Sequence, residues 1–136
     1  MMRVIGIDLG EARIGVAISG PEGLLAEPLA VLRHRSRDQD IEAIAALVKQ
    51  HGAEKVVVGL PLRLDGTEGE KAAKARAFAR RLERRLATEV ALWDERLTTF
   101  EAGQIMAGAK PEDRRARIDA VAAAVILQSY LDAQVK

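Results

Sequence analysis

The chain has 136 residues, 49% hydrophobic and 30% charged, a balance that supports one packed core and excludes a disordered chain or two full lobes around a cleft. The absence of cysteine excludes a disulfide scaffold, a thiolate metal site and a cysteine nucleophile. With 21 basic and 20 acidic residues the net charge is +1, which excludes a uniformly basic nucleic-acid coat and leaves any charge asymmetry to local clusters.

Val4-Ile5-Gly6-Ile7-Asp8-Leu9 is a short, mostly apolar run closed by Gly10, and Met1-Met2-Arg3 leads into it without the regions of a signal peptide. Arg13-Ile14-Gly15-Val16-Ala17-Ile18 follows at hairpin distance, so the two runs predict an antiparallel pair. A third strand is expected from Pro28 to Leu32. Ile41, Ile44, Ala45, Leu47 and Val48 share one helical face, with Asp38 as the expected cap and Gly52 as the stop. Lys55-Val56-Val57-Val58-Gly59-Leu60 suits a strand buried on both faces.

Pro61 through Gly69 reads as a loop, and a long helix is expected from Glu70 to Leu86. Val90-Ala91-Leu92-Trp93 predicts another buried strand, ending at Asp94-Glu95-Arg96. Thr98 and Glu101 have capping-box spacing for a further helix that Gly108-Ala109-Lys110-Pro111 would stop. The last helix is expected from Ile118 to Ala133. Between Asp119 and Asp132 it carries no charge, which marks a buried helix. The order β-β-β-α-β-α-β-α-α predicts an α/β domain with a five-stranded mixed sheet flanked by helices. No apolar run reaches membrane-spanning length, so a soluble, cytoplasmic protein with no membrane partner is expected.

Three carboxylates occupy informative places. Asp8 falls inside an apolar strand, where an ionised group is costly unless paired or metal-bound. Glu95 follows the end of a buried strand, where parallel sheets gather their ligands, and Asp119 heads an apolar helix. Each also has an ordinary explanation: Asp8 as a turn starter, Glu95 as a partner of Arg96, Asp119 as a helix cap. As ligands, such oxygens suit Mg²⁺ or Mn²⁺ and not zinc. Two such ions about 4 Å apart activate water and stabilise the leaving oxygen of a phosphodiester. His34, among Arg33, Arg35 and Arg37, and His51, before a helix stop, have no partner at ligand spacing and are expected to be solvated.

Lys71, Lys74, Arg76, Arg80, Arg81, Arg84 and Arg85 crowd one predicted helix around an apolar stripe of Ala75, Phe78, Leu82 and Leu86. Arg33-His34-Arg35 and Arg114-Arg115-Ala116-Arg117 add two further basic patches. A stripe of this kind is either a phosphate-binding footprint or a solvated helix face. Ile5-Gly6-Ile7-Asp8-Leu9-Gly10 also resembles the first phosphate loop of actin-like ATPases and sugar kinases. Those proteins hold ATP between two lobes, and a single domain of 136 residues lacks the second, so that reading survives only if this chain is half of an assembly.

Four blocks in order resemble the YqgF/RuvX family of ribonuclease H-like nucleases, which are associated with Holliday junction resolution and pre-16S rRNA processing. They are Gly6-Ile7-Asp8-Leu9-Gly10 with Arg13-Ile14-Gly15-Val16-Ala17, Val58-Gly59-Leu60-Pro61-Leu62 with Asp65-Gly66-Thr67-Glu68-Gly69, Asp94-Glu95-Arg96-Leu97-Thr98-Thr99, and Asp119 through Gln128. The resemblance implies one ribonuclease H-like domain over residues 1–136, with Asp8, Glu95 and Asp119 as catalytic acids and ligands of two Mg²⁺ or Mn²⁺ ions. Asp8 would bridge the ions, and in-line attack by water would leave a 5′-phosphate and a 3′-hydroxyl.

Arg13, Gly66, Thr67, Lys71, Lys74 and Arg96 are the expected contacts to nucleic acid, either a four-way DNA junction or pre-16S rRNA. Symmetric junction cutting further implies a homodimer. Ala12 stands where members often carry Lys, and Gly20 where they often carry Asp. The alternative is a non-catalytic nucleic-acid-binding domain that keeps the fold.

Overall fold

The computed structural model describes residues 2–97 and 114–134, with side chains in the final helix described from residue 118 onward. Five strands form one sheet in the order β3-β2-β1-β4-β5. The strands are β1 (Val4–Leu9), β2 (Arg13–Ser19), β3 (Ala26–Arg33), β4 (Lys55–Leu60) and β5 (Glu89–Asp94). β1 pairs antiparallel with β2 and β2 antiparallel with β3, while β1, β4 and β5 run parallel. The mixed sheet read from the sequence is therefore the one observed.

Alternation along the central strands divides the interior into two layers. Ile5 and Ile7 of β1, Ile14, Val16 and Ile18 of β2, and Val56 and Val58 of β4 pack against helices α1 (Arg37–His51) and α2 (Glu70–Arg85). Phe78 of α2 is among the largest fully buried side chains in this layer. On the other face Val4, Ala17 and Val57 meet α3 (Arg114–Gln134) through Ala123, Ala124, Leu127, Tyr130 and Leu131. Ala17, Ala26, Ala123 and Ala124 thin that second layer, so α3 lies close to the sheet, while Tyr130 and the part-buried Trp93 supply its bulk. No helix among the described residues is long and apolar enough to cross a membrane.

Several boundaries differ from expectation for identifiable reasons. α1 starts at Arg37, with Ser36 as its cap: the Ser36 hydroxyl accepts from the Gln39 amide at 3.1 Å, and Asp38 lies inside the first turn. Gly52 closes the helix with φ 63°, as the sequence predicts. β3 is longer than Pro28–Leu32 and carries an irregularity opposite Val16 and Ala17; its edge position tolerates Pro28. α3 begins at Arg114, because residues 114–117 continue the helix beyond its apolar stretch. The helix expected after Thr98 and the stop at Gly108–Pro111 lie outside the described residues, as do the side chains of the Arg114–Arg117 patch.

Candidate active site

The carboxyl ends of the parallel strands carry two of the three acids. Asp8 is the next-to-last residue of β1, and Glu95 opens a single 3-10 turn, Glu95–Leu97, directly after β5. Asp8 is register partner of Gly15, so both belong to the α3 face. There the missing side chain of Gly15 admits the α3 backbone: a Cβ on Gly15 would stand 1.8 Å from the Asp119 carbonyl oxygen. Gly59 does the same for Glu95, whose Oε2 lies 3.0 Å from where a Gly59 Cβ would sit. Two strand glycines thus let residues 95 and 119 approach the sheet beside Asp8. A glycine within a strand signals close approach, and that signal was present in the sequence without being read as part of the site.

The ordinary explanations for the acids do not hold in the fold. Arg96 gives its guanidinium to Asp94 at 2.8 Å and to the Leu64 carbonyl at 3.3 Å, leaving Glu95 without it. Asp119 lies within α3 and so is not its cap; its Oδ2 accepts from Nε of Arg13 at 2.7 Å. Asp8 continues its strand and does not start the turn, which closes instead through the Gly10 amide on the Arg13 carbonyl at 3.0 Å.

Electrostatics register the crowding of negative charge. Burial raises the Asp8 carboxyl above its usual range, and the neighbouring Asp119 raises it further. Burial also pushes Glu95 up to about 7, with Asp8 and Asp94 adding to the rise and Lys71 opposing it. Asp8 is therefore the central acid, sensed by Glu95 and itself sensing Asp119. Among the described residues no three His, Asp or Glu side chains already converge as a metal cage. Asp119 points its carboxylate to Arg13.

Of the expected nucleic-acid contacts, Arg13 reaches the acids through Asp119, and Lys71 lies close enough to Glu95 to influence it. Arg96 braces the Pro61–Gly69 loop. Gly66 and Thr67, expected to offer donors, use them within that loop. The Gly66 amide donates to the Arg63 carbonyl at 2.8 Å, and the Thr67 amide and hydroxyl both donate to Asp65 Oδ1. Lys74 lies on α2 within 3.5 Å of Glu70.

The basic stripe of α2 is partly neutralised inside the molecule. Arg81 pairs with Asp38, Arg85 makes a two-pronged contact to Glu42, and Arg76 pairs with Glu68. Arg80 and Arg84 have no ion pair among the described residues. His34 corrects the expectation of a solvated side chain: its Nδ1 lies 2.5 Å from Oδ2 of Asp40, which is only 2% exposed.

α3 is fastened to the end of β5 by a relay. The Trp93 indole donates to Ser129 Oγ at 3.1 Å, and that hydroxyl donates to the Leu97 carbonyl at 2.7 Å. Trp93 also meets Tyr130 edge to face at 5.4 Å. The relay joins the helix bearing Asp119 to the turn bearing Glu95.

Residues 2–133 match the protein family described as RuvX, Holliday junction resolvase. A Syntrophus aciditrophicus protein named "Putative pre-16S rRNA nuclease" is 50% identical over 134 residues, covering 97% of this chain and 89% of its own length. An Anaeromyxobacter protein of the same name is 49% identical over 133 residues, covering 96% of this chain and 97% of its own. In overall fold the chain is similar to Thermus thermophilus RuvC in complex with a Holliday junction substrate, with TM-score 0.68, 17% identity, and coverage of 99% of this chain and 96% of that one. It is also similar to the fowlpox virus resolvase in complex with Holliday junction DNA, with TM-score 0.61, 13% identity, and coverage of 99% and 100%. The chain belongs to the YqgF/RuvX family, a nuclease family with the ribonuclease H-like fold.

Proposed function

We propose that this protein is a divalent-metal-dependent endonuclease that hydrolyses phosphodiester bonds in structured nucleic acid, with pre-16S rRNA or a four-way DNA junction as substrate. The observation that carries the reading is the approach of residues 95 and 119 to the sheet beside Asp8, over Gly59 and Gly15, where burial, reinforced by neighbouring negative charge, raises the Asp8 and Glu95 carboxyls. The names of the relatives and of the structural neighbours support the substrate class.

The donor set fits Mg²⁺ or Mn²⁺. It consists of hard carboxylate oxygens, and their mutual repulsion is what a cation relieves. Asp8, Glu95 and Asp119 would hold the metal, Asp119 giving up its contact to Arg13 to do so. Ions held there would supply activation of water and stabilisation of the leaving oxygen. The chain's own residues do the rest. Arg13, released from Asp119, and Lys71, beside Glu95, neutralise the phosphate that approaches the acids. Arg96 keeps the Pro61–Gly69 loop against the sheet's carboxyl edge. A two-fold dimer would present two such sites to a symmetric junction. A cytoplasmic location, where rRNA precursors and junctions both arise, completes the reading.

The test is a side-by-side cleavage panel of four-way junction DNA, duplex DNA and 16S precursor RNA with Mg²⁺, Mn²⁺ or EDTA. Cutting is expected only with metal, and Asp8→Asn is expected to abolish it while leaving the thermal transition in place. Undiminished cutting by that variant refutes the assignment. Salt-sensitive binding with no turnover under any metal identifies a binding domain instead.

A further inference from the structure

A second concentration of positive charge lies around the end of β1 from the acids. Leu9 faces the α1–α2 layer, opposite to Asp8, and with Gly10, Glu11, His34, Arg37, Lys71 and Lys74 it lines a hollow of about 430 Å³. Three of the seven lining residues, Arg37, Lys71 and Lys74, are cationic, against one acid, Glu11. Among the described residues Lys74 is tied only by an exposed 3.5 Å contact to Glu70, a weak pairing, and Lys71 has no ion pair.

The rear of the hollow is built, not incidental. The buried Asp40 carboxylate receives Nη1 of Arg37 at 3.3 Å, faces Nδ1 of His34 at 2.5 Å, and accepts the Arg35 amide at 3.2 Å. The Arg37 guanidinium also stacks 5.5 Å from the centre of the Phe78 ring. The His34 amide donates to the Ala12 carbonyl at 2.9 Å, fixing this corner to the β1–β2 turn. One buried acid therefore holds two basic side chains in place, and two lysines complete the hollow in front of them.

We infer that this hollow binds a backbone phosphate of the nucleic-acid strand whose neighbouring linkage lies at the acids. Arg37, Lys71 and Lys74 are its cationic contacts, and Asp40 is a positioning residue. The inference rests on the nucleic-acid reading above. Asp8 and Leu9 are adjacent and face opposite sides of the sheet, so a strand crossing that edge meets the acids and then the hollow. Lys71 belongs to both places, since its charge also reaches Glu95.

The experiment measures binding of a fluorescein-labelled four-way DNA junction by anisotropy, in EDTA so that nothing is cut, across a salt series. Arg37→Gln and Lys74→Gln are each expected to weaken binding about five- to tenfold and to flatten the log–log salt slope by about 0.9. Arg84→Gln, on α2 but outside the hollow, is the control. Lys74 is exposed enough that its variant folds even if Arg37→Gln does not. Asp40→Asn is expected to weaken binding in the wild-type background and to add nothing in the Arg37→Gln background. Full additivity there overturns the positioning role. If Lys74→Gln behaves like Arg84→Gln while the wild type binds, the hollow is refuted and the nuclease reading stands. If the wild type binds and responds as expected but cuts nothing with metal, the nuclease reading fails and the hollow stands.

Discussion

Replacing Glu95 by Gln isolates the energetic consequence of burying an acid at a sheet edge beside other acids. In the fold the Glu95 carboxyl is raised from 4.5 to about 7. An acid raised in this way favours folding fully below its unfolded value, and the contribution is lost as pH climbs through the folded value. The window is therefore about pH 4.5 to 7. At about 1.4 kcal/mol per pH unit the full effect would be about 3 kcal/mol. The side chain is only part-buried, and solvent screening reduces this to ~1–2 kcal/mol.

Glu95→Gln keeps the shape and removes the charge. It should match the wild type near pH 4.5 and exceed it by that margin at pH 8 in EDTA. For a domain of this size the gain corresponds to roughly 3–8 °C in Tm. Thermal unfolding followed by circular dichroism from pH 4.5 to 8 measures it directly. Millimolar Mn²⁺ should raise the wild-type Tm and narrow the gap, since a cation bound to the folded protein stabilises it. A difference that does not grow with pH, or a Gln variant less stable than the wild type at pH 8, refutes the argument that burial and neighbouring acids hold Glu95 high.

Other expectations follow from packing. Gly15→Ala places a Cβ 1.8 Å from the Asp119 carbonyl, so α3 must lift; a loss of about 3 kcal/mol or more in urea unfolding is expected, and a wild-type midpoint would contradict the close approach. Ser129→Ala leaves both the Trp93 indole and the Leu97 carbonyl without their partner. It should lower stability by about 1–3 kcal/mol and change the fluorescence of the single tryptophan. Arg85→Gln, by contrast, removes an exposed two-pronged contact to Glu42 that solvent screens, and should leave the midpoint in the same urea assay nearly unchanged.

The strands were legible because short apolar and β-branched runs such as Val56-Val57-Val58 are closed by turn residues, while the order β3-β2-β1-β4-β5 emerges only in the fold. Helix starts were less so. Ser36 and Asp38 are both good caps, and only the fold shows that the Ser36 hydroxyl reaches the Gln39 amide while Asp38 turns to Arg81. Asp8 stood out because a charge within an apolar strand is costly. Glu95 and Asp119 did not stand out alone, since acids near element ends are common. What separates them from ordinary acids is three-dimensional: Arg96 chooses Asp94, and Asp119 comes to rest over a glycine. His34 was misread because its partner, Asp40, lies on the next element, where no metal-ligand spacing would reveal it.

The contact between Arg13 and Asp119 spans 106 residues of chain. The acid cluster therefore cannot exist in any fragment that stops short of α3. A chain emerging from the ribosome carries Asp8 before Glu95, yet the cluster remains incomplete until α3 has been made and rests on Gly15 of the sheet. If the site cuts nucleic acid, the order of synthesis is its own safety catch: the capacity to cut arises only once α3 is in place.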